Sequence, residues 1–135
     1  MNQVAIDSQP IVDQKEITIF FMNYLGYTYE DGAAVSESYA KKEGSTIGDK
    51  IVQHALFKGI ISHIIPDTEM PYQKSDGKRA DILLNPISGI KLKTITEKRR
   101  NIDNNTREIY EEDYVISPVF GSMQNPIVIG KFVTT

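Results

Sequence analysis

The chain has 135 residues, no cysteine, a net charge of −3 and a pI of about 5.4. That length suits one domain with a single buried core, and the lack of cysteine excludes disulfides and thiolate metal sites. The acidic balance argues against a protein that grips nucleic acid by overall charge, and no apolar run approaches the roughly 18 residues needed to cross a bilayer.

Residues 1–15 are polar with β-branched interruptions and read as a flexible lead-in to a single domain over 16–135. The start, MNQVAIDSQP, lacks the basic and apolar regions of a signal peptide, so the expectation is a soluble, intracellular protein. ITIFFMN (17–23) is rich in β-branched and aromatic residues and predicts a strand. Leu25-Gly26 opens a turn, Tyr27-Thr28-Tyr29 is expected to be extended, and Glu30-Asp31-Gly32 is a turn signal. AAVSE (33–37) predicts a short strand, SYAKKE one helical turn ended by Gly44, and Gly48-Asp49 another turn. KGIISHII (58–65) carries the strongest strand pattern, and Pro66 ends it. PYQKSDGK predicts a loop with Asp76-Gly77 at its tip, and RADILLNP a strand closed by Asn85-Pro86. KLKTITEK (91–98) alternates at period two, and EEDYVISPVF and PIVIGKFV supply two more apolar strands. No window sustains a helical period, so the class is all-β; pattern alone leaves barrel and sandwich open.

Charge is unevenly spread. Residues 1–40 carry Lys15 against six acidic side chains, whereas 74–107 carry nine basic side chains against Asp76, Asp81, Glu97 and Asp103. A local basic surface is compatible with that, although Lys98-Arg99-Arg100 alone reads as a solvated face. His54 and His63, nine apart with no cysteine partner, make a zinc site improbable, and no spacing of Ser, His and carboxylate supports a catalytic triad.

Two blocks go beyond pattern. GYTYED (26–31) followed by AAVSE resembles the GYNYEDA…SE stretch of the β subunit of bacterial-type multisubunit RNA polymerases. GDKIVQHALFKGIISHIIPDTEMPYQKSDGKRADILLNP (48–86) is similar to that family's GDK, KG, strand, DMPY, DG and D-I-x-L-N-P, with Lys50 and Lys58 eight apart as in the family. Between the lysines the family has an Arg-His-Gly-Asn run, where this chain has Val52-Gln53-His54-Ala55-Leu56-Phe57. The long stretch that separates the two blocks in the family is short here. PIVIGKFVTT resembles a D-I-L-V-G-K-V-T-P stretch that lies between the blocks in the family, and KLKTITEK is a candidate for the strand after the SE segment. Together they suggest a rearranged order, with Gly44-Ser45, Ser88-Gly89 and Gly121-Ser122 as candidate joints; a divergent phage polymerase with split subunits is the other route to such a chain.

The resemblance implies a six-stranded double-psi β-barrel with short helical turns. It implies that Lys50 and Lys58 reach the NTP phosphates and the RNA 3′ end, as flexible point charges. It places Glu30 and Asp31 near a second catalytic metal, through water. The primary Mg2+ is held in the family by three aspartates of the β′ subunit, in a D-F-D-G-D-type motif that this chain lacks. The implied partners are therefore a β′-type subunit, NTP, RNA and DNA, with no membrane. The chain alone is expected to be inactive, a monomer or weak homodimer, in the cytoplasm of a bacterial or phage-infected cell. Met70-Pro71-Tyr72 is expected to pack the barrel lid, and Asp81, Asn85 and Pro86 to be structural. The alternative readings are an isolated or engineered minimal barrel with no catalytic activity, and an unrelated β-rich binding module.

Overall fold

A computed structural model of the chain describes residues 15–28, 32–53, 57–86, 99–101 and 106–134. Eleven strands and one helix are present among them. In chain order they are β1 (Lys15–Phe21), β2 (Gly32–Ser36), α1 (Glu37–Glu43), β3 (Lys50–Gln53), β4 (Phe57–Ile65), β5 (Tyr72–Gln73), β6 (Ile82–Leu84), β7 (Arg99–Asn101), β8 (Thr106–Asp113), β9 (Val115–Ser117), β10 (Gly121–Ser122) and β11 (Ile127–Thr134). A 3-10 turn over Asp67–Glu69 follows β4. The class is all-β, as the pattern predicts.

Eight strands form one sheet in the order β3-β4-β2-β6-β1-β11-β8-β7, and β10-β9-β5 form a smaller one. The centre of the large sheet has an internal symmetry. β2 and β6 pair antiparallel; β2 then pairs parallel with β4, and β6 pairs parallel with β1. Each parallel partner is flanked by an antiparallel strand, β3 beside β4 and β11 beside β1. Among the described residues the sheet runs from β3 to β7 and does not close on itself.

Burial on both faces explains the continuous apolar runs. Ile19, Phe21, Ala33, Val35, Ile82 and Leu84 lie in one core cluster, while Phe20, Met22, Ala34 and Leu83 lie in the other. Alternate residues of β1, β2 and β6 thus enter opposite cores, which is why ITIFFM and ILL do not alternate with polar residues. Each buried Leu, Ile or Phe contributes roughly 1.5–3 kcal/mol. Gly130 of β11 lies opposite Tyr110, and a Cβ there would come 2.9 Å from the ring's Cε1. The missing side chain lets Tyr110 lie over the sheet, edge-on to Phe132.

The helix runs over Glu37–Glu43 because both ends are capped. The Ser36 hydroxyl accepts from the Tyr39 N–H, and Gly44 turns left-handed (φ +66°) so that Gly44 and Ser45 return hydrogen bonds to Lys41 and Ala40. Gly44-Ser45 is therefore a helix stop, and Gly121-Ser122 is strand β10; Ser88-Gly89 and KLKTITEK lie outside the described residues.

Three expectations change. Tyr27-Thr28 is part of a turn over Leu25–Thr28. Its closing bond from the Tyr27 N–H to the Tyr24 carbonyl, and the Thr28 hydroxyl bond to the Met22 carbonyl, outweigh the strand propensity of those residues. PYQKSDGK contains β5, which pairs with β9, although Asp76-Gly77 is its turn, with the Lys78 N–H bonded to the Asp76 carboxylate. EEDYVISPVF is divided between the end of β8 and β9, because the Asp113 carboxylate caps the Tyr114 N–H at the break.

Candidate functional site

The β3–β4 hairpin carries both lysines. Its entry is built by Thr46-Ile47-Gly48-Asp49. The Asp49 N–H donates to the Thr46 carbonyl at 3.1 Å, and Gly48 has φ +96°. A closing bond with positive φ at the third residue is the pattern of a type II turn, which favours glycine there. The Gly48 N–H donates to the Ile61 carbonyl and the Ile61 N–H donates to the Asp49 carbonyl, both at 2.9 Å. Two residues of one strand thus share one partner, as in a glycine-led β-bulge. The Asp49 carboxylate accepts from the Thr46 N–H at 2.8 Å. The GD of GDK is therefore a turn with its own bulge, and Lys50 is the first residue of the regular ladder.

The ladder sets Lys50 opposite Ile60 and Val52 opposite Lys58. Residues that face each other in an antiparallel pair share a face, and so do residues two apart. Lys50 and Lys58 therefore hold register positions on one face, diagonal to each other at roughly 7–8 Å. The eight-residue spacing produces this because the hairpin folds midway between them. Residues of the other set point inward: Ile51 is 4% exposed and Ile61 1%. On the lysine set, Lys50 is exposed and Ile60 is 39% exposed. Among the described residues no carboxylate is paired with the Lys50 ammonium.

Glu30, Asp31 and His54 lie outside the described residues. Gly32, which follows the acidic pair, lies opposite Ile60, and Ile60 opposite Lys50. The chain thus enters β2 on the same row as Lys50, two strands away.

Sequence reading missed Ser62. The β2–β4 register shifts there, with Ala33 opposite Ile61 but Ala34 opposite His63. The bulge turns the Ser62 hydroxyl to within 2.7 Å of the Tyr27 carbonyl and 3.1 Å of the Ala33 carbonyl. His63 stacks on Tyr27 with ring centroids 3.6 Å apart. The hydroxyl among the strand's isoleucines was a signal for Ser62 itself, although the register shift left none.

Asp81 and Asn85, two of the residues expected to be structural, join separate segments through hydrogen bonds. Asp81 ties three strands together: its carboxylate accepts from the Thr18 N–H at 2.9 Å, its N–H donates to the Thr18 carbonyl, and its carbonyl accepts from Ser36. Burial pushes its carboxyl above the ordinary value, with the Thr18 N–H and Lys78 pulling the other way. The Asn85 amide donates to the Thr28 carbonyl at 3.3 Å. Met70 is fully buried in the second core cluster. Asp67 binds the Ser38 N–H and hydroxyl, and that hydroxyl bond holds its carboxyl below the ordinary range.

Residues 39–97, which include the whole hairpin, match the family described as RNA polymerase Rpb2, domain 6. The chain is 52% identical over 48 residues to the DNA-directed RNA polymerase subunit beta of Tupiella akineta, covering 36% of this chain and 2% of that one. It is 38% identical over 89 residues to the subunit of Acholeplasma laidlawii, covering 64% and 7%. With the subunit of Euglena gracilis the identity is 33% over 94 residues, covering 70% and 8%. The chain is a relative of the RNA polymerase β subunit. It spans under a tenth of the length of these β subunits. Within the matched region lie the GDK turn, both lysines, the Met70-Pro71-Tyr72 segment and the Asp81 junction.

Proposed function

We propose that this β-subunit relative supplies Lys50 and Lys58 to an active centre for DNA-templated nucleotidyl transfer, shared with a β′-type partner. The observation that carries the reading is the hairpin register, with both lysine positions on one face and Lys50 exposed and unpaired among the described residues. In this reaction the RNA 3′-hydroxyl attacks the α-phosphate of an NTP in line and pyrophosphate leaves. Negative charge spreads over the phosphate oxygens, and two fixed ammonium groups lower its energy. Lys50 and Lys58 would donate hydrogen bonds to the NTP phosphates and the RNA 3′ end.

The six strands β3, β4, β2, β6, β1 and β11 are the proposed counterpart of a double-psi barrel. Their support is the symmetric order of parallel and antiparallel pairs about β2 and β6. Among the described residues no three His, Asp or Glu side chains come together to hold a metal. By resemblance to the family, the magnesium is assigned mainly to three aspartates of the partner, with Glu30 and Asp31 as water-mediated contributors. When bound, it supplies Lewis-acid activation of the reacting oxygens. No helix among the described residues is long and apolar enough to cross a membrane; the proposed setting is the cytoplasm of a bacterial or phage-infected cell, with the free chain monomeric or weakly dimeric.

The test is template-dependent NMP incorporation. The purified chain alone should give none. With a β′-type partner carrying the three-aspartate motif it should give product, and Lys50→Ala should lower the rate by about 10²-fold, the order seen when one charge-stabilising donor is removed. Incorporation by the chain alone, or an unaffected Lys50→Ala, contradicts the proposal. A second reading, the same barrel as a scaffold without activity, draws on Leu56-Phe57 standing where the family has glycine; it predicts no product with any such partner.

A further inference from the structure

We infer that Asp49 is a positioning residue for Lys50: its carboxylate locks the Thr46–Asp49 turn and so fixes the face on which the Lys50 ammonium emerges. The inference rests on the phosphate-contacting role proposed above and adds a residue to it.

Asp49 is exposed, so no packing demand accounts for it. All three of its polar groups are nonetheless committed. Its N–H goes to the Thr46 carbonyl at 3.1 Å, its carbonyl takes the Ile61 N–H at 2.9 Å, and its carboxylate takes the Thr46 N–H at 2.8 Å. These bonds surround the point at which two residues, Gly48 and Asp49, share Ile61. Such a point is where register can slip, and a one-residue slip reverses every side chain of a strand. Here the slip would send Lys50 into the buried face now held by Ile51.

The carboxylate has a second consequence. A free aspartate next to a lysine competes for its ammonium. Tied to the Thr46 N–H, the Asp49 oxygen is engaged elsewhere, and the Lys50 ammonium has no carboxylate partner among the described residues. The side chain that builds the turn thus makes no ion pair with the cation it aims.

The test is NMR of the full chain titrated with inorganic triphosphate. The Lys50 resonances of the natural sequence should shift and saturate, and Lys50→Ala should abolish the response. Asp49→Ala should weaken binding about tenfold, the effect of about 1.4 kcal/mol, and should expose the Thr46 amide to hydrogen exchange. Asp49→Asn retains the acceptor oxygen and should restore binding to within about twofold. Asp49→Ser, with a shorter acceptor, should fall between and serves if Asp49→Ala does not fold. A responding natural chain with an unaffected Asp49→Ala overturns the inference alone. An Asp49→Asn as weak as Asp49→Ala overturns it too, because charge and not turn geometry would then matter. A natural chain whose Lys50 ignores triphosphate overturns the phosphate reading itself, and the inference with it.

Discussion

The two halves of the central sheet use one framework differently. About the β2–β6 pair, β1 occupies the place in one half that β4 occupies in the other. β1 is buried on both faces, with Ile19, Phe20 and Phe21 all in a core. β4 buries Ile61 and Ile65 but leaves Ile60 and His63 exposed. β11, beside β1, is covered on its far side by β8, whereas β3, beside β4, has no further partner in the described sheet. Equivalent positions in one fold thus serve as core in one half and as an open surface in the other. Lys50 stands exposed on the open one, and Lys58 holds a register position on the same face of that hairpin.

The largest effects should separate the halves. Phe20→Ala in the closed half removes a fully buried ring and should cost 3–5 kcal/mol or so by the order typical of such changes, read by denaturant unfolding. Lys50→Ala in the open half should change stability by less than about 0.5 kcal/mol. Equal losses would end the comparison. Between them lies Ser62→Ala, which leaves the Tyr27 and Ala33 carbonyls without their hydroxyl donor; about 1–3 kcal/mol is expected.

Smaller effects concern pH. Asp67, bonded by the Ser38 hydroxyl, and Asp113, bonded by the Ser75 hydroxyl, both hold their protons less tightly folded than unfolded. The unfolded chain then takes up more protons as pH falls, so their stabilisation is present above the ordinary carboxylate range and is lost as pH falls through the folded values. Asp81, raised by burial, acts in the opposite sense: its contribution is present at low pH and lost as pH rises through its folded value. Unfolding measured between pH 3 and 7, on the scale of ordinary carboxyl titration, should show a shallower acid loss for Asp67→Asn and Asp113→Asn. An unchanged profile would contradict the hydrogen-bond assignments. The smallest effect is a gain. Leu25 sits at φ +56° before Gly26 at +77°, the pattern of a type I′ turn that favours Asn-Gly. Leu25→Asn should stabilise by roughly 0.5–1 kcal/mol.

The strands of both halves were legible, and the connections and short pairings less so. ITIFFMN, AAVSE and KGIISHII declare strands because burial on one or both faces writes itself into apolar runs. Lys50 and Lys58 were legible through their neighbours and spacing, and their shared face follows from the hairpin. The bulge at Ser62 was not legible, since a one-residue register shift leaves no composition signal. The two-residue strands β5 and β10 were hidden for the same reason: pairing partners far along the chain, not local propensity, create them. Asp49 read as a turn residue, and only the hydrogen bonds reveal what it holds.

The account depends most on the register that sets Lys50 and Lys58 together. The chain has no cysteine, so Lys50→Cys and Lys58→Cys, singly and together, can be spin-labelled without background. The account predicts strong dipolar broadening in the continuous-wave EPR spectrum of the double variant, for backbone positions roughly 7–8 Å apart. A double-variant spectrum equal to the sum of the two singles would contradict it.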